Sequence, residues 1–298
     1  MKNLGYHLLA IAIIAVWGVT FVNTKVLLQY GLQPVEIFLL RFIVAYLCIW
    51  TISPRRLWSD SWRDELLFLI LGLVGGSLYF VAENTAIGLS YVNNVAFIVC
   101  TAPLITTLLA SSPLLSLFGM KPIPVHLMGW VGSLVALFGV GMVIYNGHFV
   151  LKLNPLGDLL ALTAAFCWAI YSLVIKKVSV RYSATFITRK VFFYGILTVL
   201  PMFLVAPWQF PLERFLQPAV WMNLLFLSVV ASFLCFLWWS VAVKKIGALR
   251  TSNYVYLNPI TTVIASALFL NEPMTAMAYA GSMLILLGVY LANRKPME

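Results

Sequence analysis

Charged residues are scarce in this sequence, and acidic ones are the scarcest. Asp and Glu number 9 in 298 residues and Lys and Arg 19, so only 9% of the chain is charged. A soluble domain carries about 25% charged residues. So few charges cannot cover a water-facing surface, and most of this surface must meet lipid. Cysteine and histidine are scarce as well. Cys48, Cys100, Cys167 and Cys235 each lie inside an apolar run, and no CxxC occurs. This excludes a disulfide framework and leaves them as small apolar packing residues. His7, His126 and His148 stand at no metal-ligand spacing from another His, Cys or acid, so no metal site is expected. There is no HExxH, no Ser–His–acid set, no pair of acids on one helix face and no phosphate loop. A membrane-embedded enzyme is therefore the weaker reading, and no cofactor is expected.

The net charge of +10 does not point to nucleic acid. The cations sit in short loops between apolar runs, which is the pattern of topology determinants. Phosphate-binding cations would cluster on one soluble face.

Apolar length is what the chain has in excess. Its hydrophobic fraction is 62% and its mean hydropathy +0.98. A bilayer core about 30 Å thick takes about 20 helical residues per crossing, so ten crossings use nearly the whole chain. Turn residues break it at Gly31-Leu32-Gln33-Pro34, Ser53-Pro54-Arg55-Arg56, Met120-Lys121-Pro122, Asn154-Pro155 and Asn271-Glu272-Pro273. The resulting spans are 5–28, 34–52, 66–88, 93–115, 125–145, 156–177, 187–207, 219–243, 248–270 and 275–293. They are continuous rather than alternating, which excludes a β-barrel. Helices satisfy their own backbone groups in lipid. No small-x-small cleavage site follows Lys2 and the first run, so that run is expected to be a retained helix.

Loop cations set the orientation. With the N-terminus in the cytoplasm, fifteen Lys and Arg fall inside, among them Arg55, Arg56, Lys121, Lys176, Arg189, Lys190, Lys245 and Arg250. Only Lys152 and Arg214 fall outside. The expectation is a multi-pass protein of the inner (plasma) membrane with both termini cytoplasmic.

The sequence also repeats itself. Trp17 and Lys25 recur as Trp168 and Lys176, at an offset of 151. Ala102-Pro103-Leu104-Ile105-Thr106-Thr107 recurs as Asn258-Pro259-Ile260-Thr261-Thr262, at 156, and Gly132 with Gly139 as Gly281 with Gly288, at 149. The chain therefore divides into residues 1–148 and 149–298, five spans each. Five is odd, so the second copy must cross in the opposite sense. The expected fold class is an all-α integral membrane protein of ten transmembrane helices in two inverted five-helix repeats, an architecture that opens one site to either side in turn.

Three stretches carry a resemblance. Trp17-Gly18-Val19-Thr20-Phe21-Val22, then Asn84-Thr85-Ala86-Ile87-Gly88-Leu89-Ser90-Tyr91-Val92 leading to Pro103, then Glu272-Pro273-Met274-Thr275 leading to Gly281 and Gly288, resemble the EamA-type branch of the drug/metabolite transporter superfamily. The likeness covers essentially the whole chain in two copies. It implies a ten-helix inverted-repeat carrier that exports amino acids or other small metabolites. Lys121-Pro122 departs from it, standing where members carry an acid before the fifth helix; Glu272 keeps the acid in the second half.

Charges within spans are costly, about 2.5–3.5 kcal/mol each at a helix centre. Lys25, Glu36, Arg41 and Glu83 fall there, and Arg41 and Glu83 are the deepest. Glu83, Arg41 and Lys25 are the candidate coupling or gate residues, with a structural ion pair as the alternative. Helical spacing gathers the polar and aromatic candidates for substrate binding: Trp17 and Thr20, Phe80 and Asn84, Asn94 and Thr101, Trp168 and Tyr171, and Tyr254 with Asn258. Pro103 and Pro259 are expected to kink symmetry-related helices near the midplane. The reading is a secondary transporter of a small-molecule substrate such as an amino acid, working in a lipid bilayer, with protons a candidate coupling ion. Broad drug efflux and nucleotide-sugar exchange are the alternatives. Direction, coupling ion and a homo-oligomer stay open.

Overall fold

The computed structural model describes residues 3–54, 57–90, 92–145, 154–261, 264 and 275–294. Among these residues the fold is all-α, with no strand. Its helices are α1 (Leu4–Gln29), α2 (Pro34–Ile52), α3 (Trp62–Leu89), α4 (Asn94–Ser111), α5 (Leu127–Tyr145), α6 (Pro155–Val178), α7 (Ala184–Leu204), α8 (Pro218–Ile246), the short α9 (Ala248–Asn253) and α10 (Ala276–Asn293). Nine of them, all but α9, are long and apolar enough to cross a bilayer. The expected ninth span is described only as far as Thr261 and at Ile264. The Glu272-Pro273-Met274 stretch and the boundary at 148 and 149 lie outside the described residues.

Local chemistry sets the ends. Pro34 opens α2, and Gln33 and Glu36 form a capping box that satisfies its first free amides. Asn154, Ser183 and Thr275 cap α6, α7 and α10. Gly31 ends the first turn region with φ of 99°, a left-handed conformation that side chains with a Cβ rarely adopt.

Equivalent elements pack reciprocally. α1 lies against α8, and α6 against α3. Residues Leu73–Ser77 of α3 and Phe226–Leu234 of α8 are π-helical. α7 packs on the first of these segments and α2 on the second. α5 and α10 form a pair of their own. There Gly132 meets the backbone of Gly288 and Ala292, and Gly139 that of Gly281 and Ile285. A methyl at any of the four glycines collides with the opposing helix, so the pair depends on small residues. Leucines and aromatics such as Leu47, Leu134, Phe138 and Leu286 remain exposed on the bundle exterior. In lipid that surface needs no polar cover.

Two departures from the sequence reading bear on the site. The span at 93–115 is not one continuous helix. It breaks at Cys100 and Thr101 and resumes at Ala102, with Pro103 in its first turn. Likewise α9 passes into a 3-10 turn, Tyr254–Leu257, before helix resumes around Pro259. Secondly, Arg189 and Lys190 are not loop cations. α7 begins before them, and both side chains are buried. Lys190 tolerates this because Glu65 meets it at 2.6 Å.

Candidate functional site

α1, α2, α3, α4, α6 and α8 surround a cavity, closed by the segment after α9. It begins with two tryptophans. Trp17 and Trp168 meet edge to face with ring centroids 5.1 Å apart. Trp239 backs both, at 5.0 and 5.7 Å. Phe80 and Phe236 flank them 6.1 Å apart, and Tyr79 lies 5.3 Å from Trp168. The result is an aromatic box. Trp17 is fixed in it because its indole Nε1 donates to the Ala231 carbonyl at 2.9 Å, within the π-helical segment of α8. A π turn spreads the backbone and leaves carbonyls available to side chains.

Two charges enter the same cavity. Arg41 lies over the Phe80 ring, its Cζ 4.2 Å from the centroid, and its Nε donates to Ser232 Oγ at 2.9 Å. Glu83 Oε1 accepts from the Tyr79 hydroxyl at 2.7 Å. All four side chains are buried. The ion pairs among the described residues are Arg181–Asp64 and Lys190–Glu65. Arg41 and Glu83 thus share a cavity without closing on each other. Each is held by a neutral partner, which leaves charge to offer a ligand.

The free volume of the cavity is about 40 Å³. On this measure a single water needs about 10–15 Å³, so the cavity holds a few waters' worth of free space in this conformation.

Of the residues singled out from sequence, Trp17, Thr20, Arg41, Phe80, Glu83, Trp168 and Asn258 line the cavity. Tyr171 packs behind Trp168, centroids 5.1 Å apart, and its ring fills the space at Gly75. Asn84 is turned away and donates to the Pro34 carbonyl at 3.3 Å. Thr101 bonds back to the Ile98 carbonyl, and Asn94 is buried outside the lining. Tyr254 joins His7 Nδ1 at 2.7 Å instead. Lys25 donates to the Ile87 carbonyl at 3.2 Å and borders a separate recess with Gln33 and Gly88.

The reason lies in helix register. In the α-helix that resumes at Leu78, Tyr79, Phe80 and Glu83 fall on one face and line the cavity, while Asn84 falls at the edge of that face. The 3-10 turn after α9 repeats every three residues, which puts Val255 beside Asn258 rather than Tyr254. The break in α4 likewise presents Val99 in place of Asn94 and Thr101. Phe21, Tyr79, Val99, Phe236 and Val255 are lining residues that helical spacing misses. The repeat held the signal for two of them. Phe236 follows Phe80, and Val255 follows Val99, by the same 156 residues that separate Pro103 from Pro259.

A bundle of long apolar helices around a buried polar and aromatic cavity has the form of a multi-pass membrane protein. Comparison with known proteins gives the family. The profile of the EamA-like transporter family matches residues 4–145 and again 155–294. The chain belongs to that family. An uncharacterized transporter of Archaeoglobus fulgidus is 25% identical over 293 residues, covering 97% of each chain. A protein of Escherichia coli named as a probable amino-acid metabolite efflux pump is 25% identical over 290 residues, covering 95% of this chain and 93% of its own. One solved crystal structure superposes with a TM-score of 0.72 at 16% identity, covering 96% of this chain and 94% of that one. At that identity it speaks for the fold alone.

Proposed function

We propose that this protein is a secondary transporter that exports a small zwitterionic metabolite, an amino acid or close analogue, by alternating access. The carrying observation is that one guanidinium and one carboxylate, Arg41 and Glu83, face an aromatic box while each keeps a neutral partner. Arg41 would take the substrate carboxylate, Glu83 its ammonium group, and the rings its apolar side chain. A diphosphate would want several cavity cations; Arg41 is the one that lines this cavity among the described residues. The relatives named as probable amino-acid metabolite efflux pumps, in Escherichia coli and Salmonella typhimurium, support the same class.

The proposed frame is ten spans in two inverted halves, residues 1–148 and 149–298, in the inner membrane with both termini cytoplasmic. Its support is the double family match and the reciprocal packing of α1 on α8 and α6 on α3. The deciding experiment compares extracellular and intracellular metabolite pools with and without overexpression, then repeats the flux in sealed vesicles with the purified protein. An amino acid or close analogue should accumulate outside the cells and cross the vesicle membrane. Enrichment of none, or only of organic cations, rejects the zwitterion reading.

A further inference from the structure

A second recess lies at the ends of α4, α6 and α8, and it shares no lining residue with the aromatic cavity. Its walls come from the segment after α4, the last turn of α6, and the turn joining α8 to α9. Lys121, Lys176, Lys245 and Arg250 line it, with Leu173 and Ile246 behind them, and its volume is about 370 Å³. No acidic side chain lines it. None of the four cations takes part in an ion pair among the described residues. Their partners are weak or absent. Lys176 donates to the Lys244 carbonyl at 3.1 Å, Lys245 lies 5.8 Å from the Tyr6 ring, and the buried Nε of Arg250 has no hydrogen-bond partner.

Four like charges drawn into one recess repel one another unless an anion joins them. The surroundings say where that anion comes from. The recess sits where apolar spans end, and Pro113–Phe118, which gives it Leu115, exposes Leu114 and Leu117. These leucines place apolar surface next to the recess. A phosphate inside the recess would keep its acyl chains on that surface. Basic recesses between helix ends bind anionic headgroups by this combination of charge and apolar contact.

We infer that this recess is a binding site for the phosphate of an anionic phospholipid. Lys121, Lys245 and Arg250 hold the phosphodiester, and Lys176 closes the inner wall. The site is separate from the aromatic cavity and does not depend on what the cavity carries.

The test is thermal unfolding of the purified protein in neutral detergent, followed by tryptophan fluorescence. Phosphatidylglycerol should raise Tm, and phosphatidylcholine should not. The triple variant Lys121→Gln, Lys245→Gln, Arg250→Gln should need about a hundredfold more phosphatidylglycerol for half the shift, about fivefold per cation removed. Arg63→Gln, an exposed cation outside the recess, should respond as the parent does. If the triple variant does not fold, the exposed single changes Lys121→Gln and Lys245→Gln should each cost about fivefold. Equal shifts from both lipids, or a triple variant that responds like the parent, overturn the site. A full shift with inorganic phosphate alone overturns the lipid assignment and makes the occupant a soluble phosphate.

Discussion

Trp17 and Trp168 stand at matching places in the two copies of the sequence and touch at 5.1 Å in the fold. Replacing either with Ala opens the box and removes an edge-to-face partner, a contact worth about 0.5–1.5 kcal/mol beyond the area it buries. Transport should fall at least tenfold while membrane expression persists. Normal transport by both variants would reject the aromatic box. Glu83 makes a sharper test. Glu83→Gln keeps the shape and can still accept from the Tyr79 hydroxyl, so it should fold. It loses the charge for a substrate ammonium or for a coupled proton. Transport measured from pH 5 to 8 should fall, or lose its dependence on pH. A variant that transports like the parent across that range leaves Glu83 a structural acceptor only. Arg41→Lys should also be poor, because a single ammonium cannot reproduce both the Nε bond to Ser232 and the guanidinium carbon over the Phe80 ring.

At the scale of elements, the first turn of α3 is clamped to α7. Glu65 receives Lys190 Nζ at 2.6 Å, the Tyr194 hydroxyl at 2.5 Å and the Ser59 amide at 2.6 Å. Beside it Asp64 receives Arg181 and the Tyr182 hydroxyl, each at 2.8 Å. Burial, together with the bond to Asp64, pushes the Tyr182 phenol above its ordinary range. These bonds join a helix of the first sequence copy to one of the second, on the face where the loop before α3 lies. If the halves rock against each other, this clamp must part. Removing one member of a buried pair strands its partner at a cost of about 3–5 kcal/mol. Lys190→Met should therefore lower Tm by several degrees, and adding Glu65→Gln should restore most of the loss. Additive losses in the double variant would mean the two side chains do not act as a pair.

At the scale of the whole molecule, the orientation is open to labelling. In a cysteine-free background, a cysteine at Gln33 or Gln217, both exposed, should react with an impermeant maleimide added to intact cells. A cysteine at Ser59 should react only after permeabilisation. The opposite pattern overturns the proposed orientation.

The sequence alone determined the class of fold. Few charges, long apolar runs and turn residues between them leave helices in lipid as the only backbone solution, and none of that depends on which helix meets which. It also placed Trp17, Trp168, Arg41, Phe80 and Glu83, because an internal repeat and a buried charge leave marks in composition and spacing. Tertiary structure alone decided the rest of the cavity. Asn84, Asn94, Thr101 and Tyr254 fit ideal helical spacing, but Asn84 falls at the edge of the lining face of α3, α4 breaks at Thr101, the chain is 3-10 from Tyr254 to Leu257, and π turns interrupt α3 and α8. Such changes of pitch cost little in local propensity and are fixed by what packs alongside, as when Tyr171 fills the space at Gly75 or the Trp17 indole takes the Ala231 carbonyl. The pairing of Glu65 with Lys190, and the meeting of four cations in one recess, likewise join residues distant in sequence. No period along the chain encodes which distant charges will be neighbours; packing of the two sequence copies against each other does.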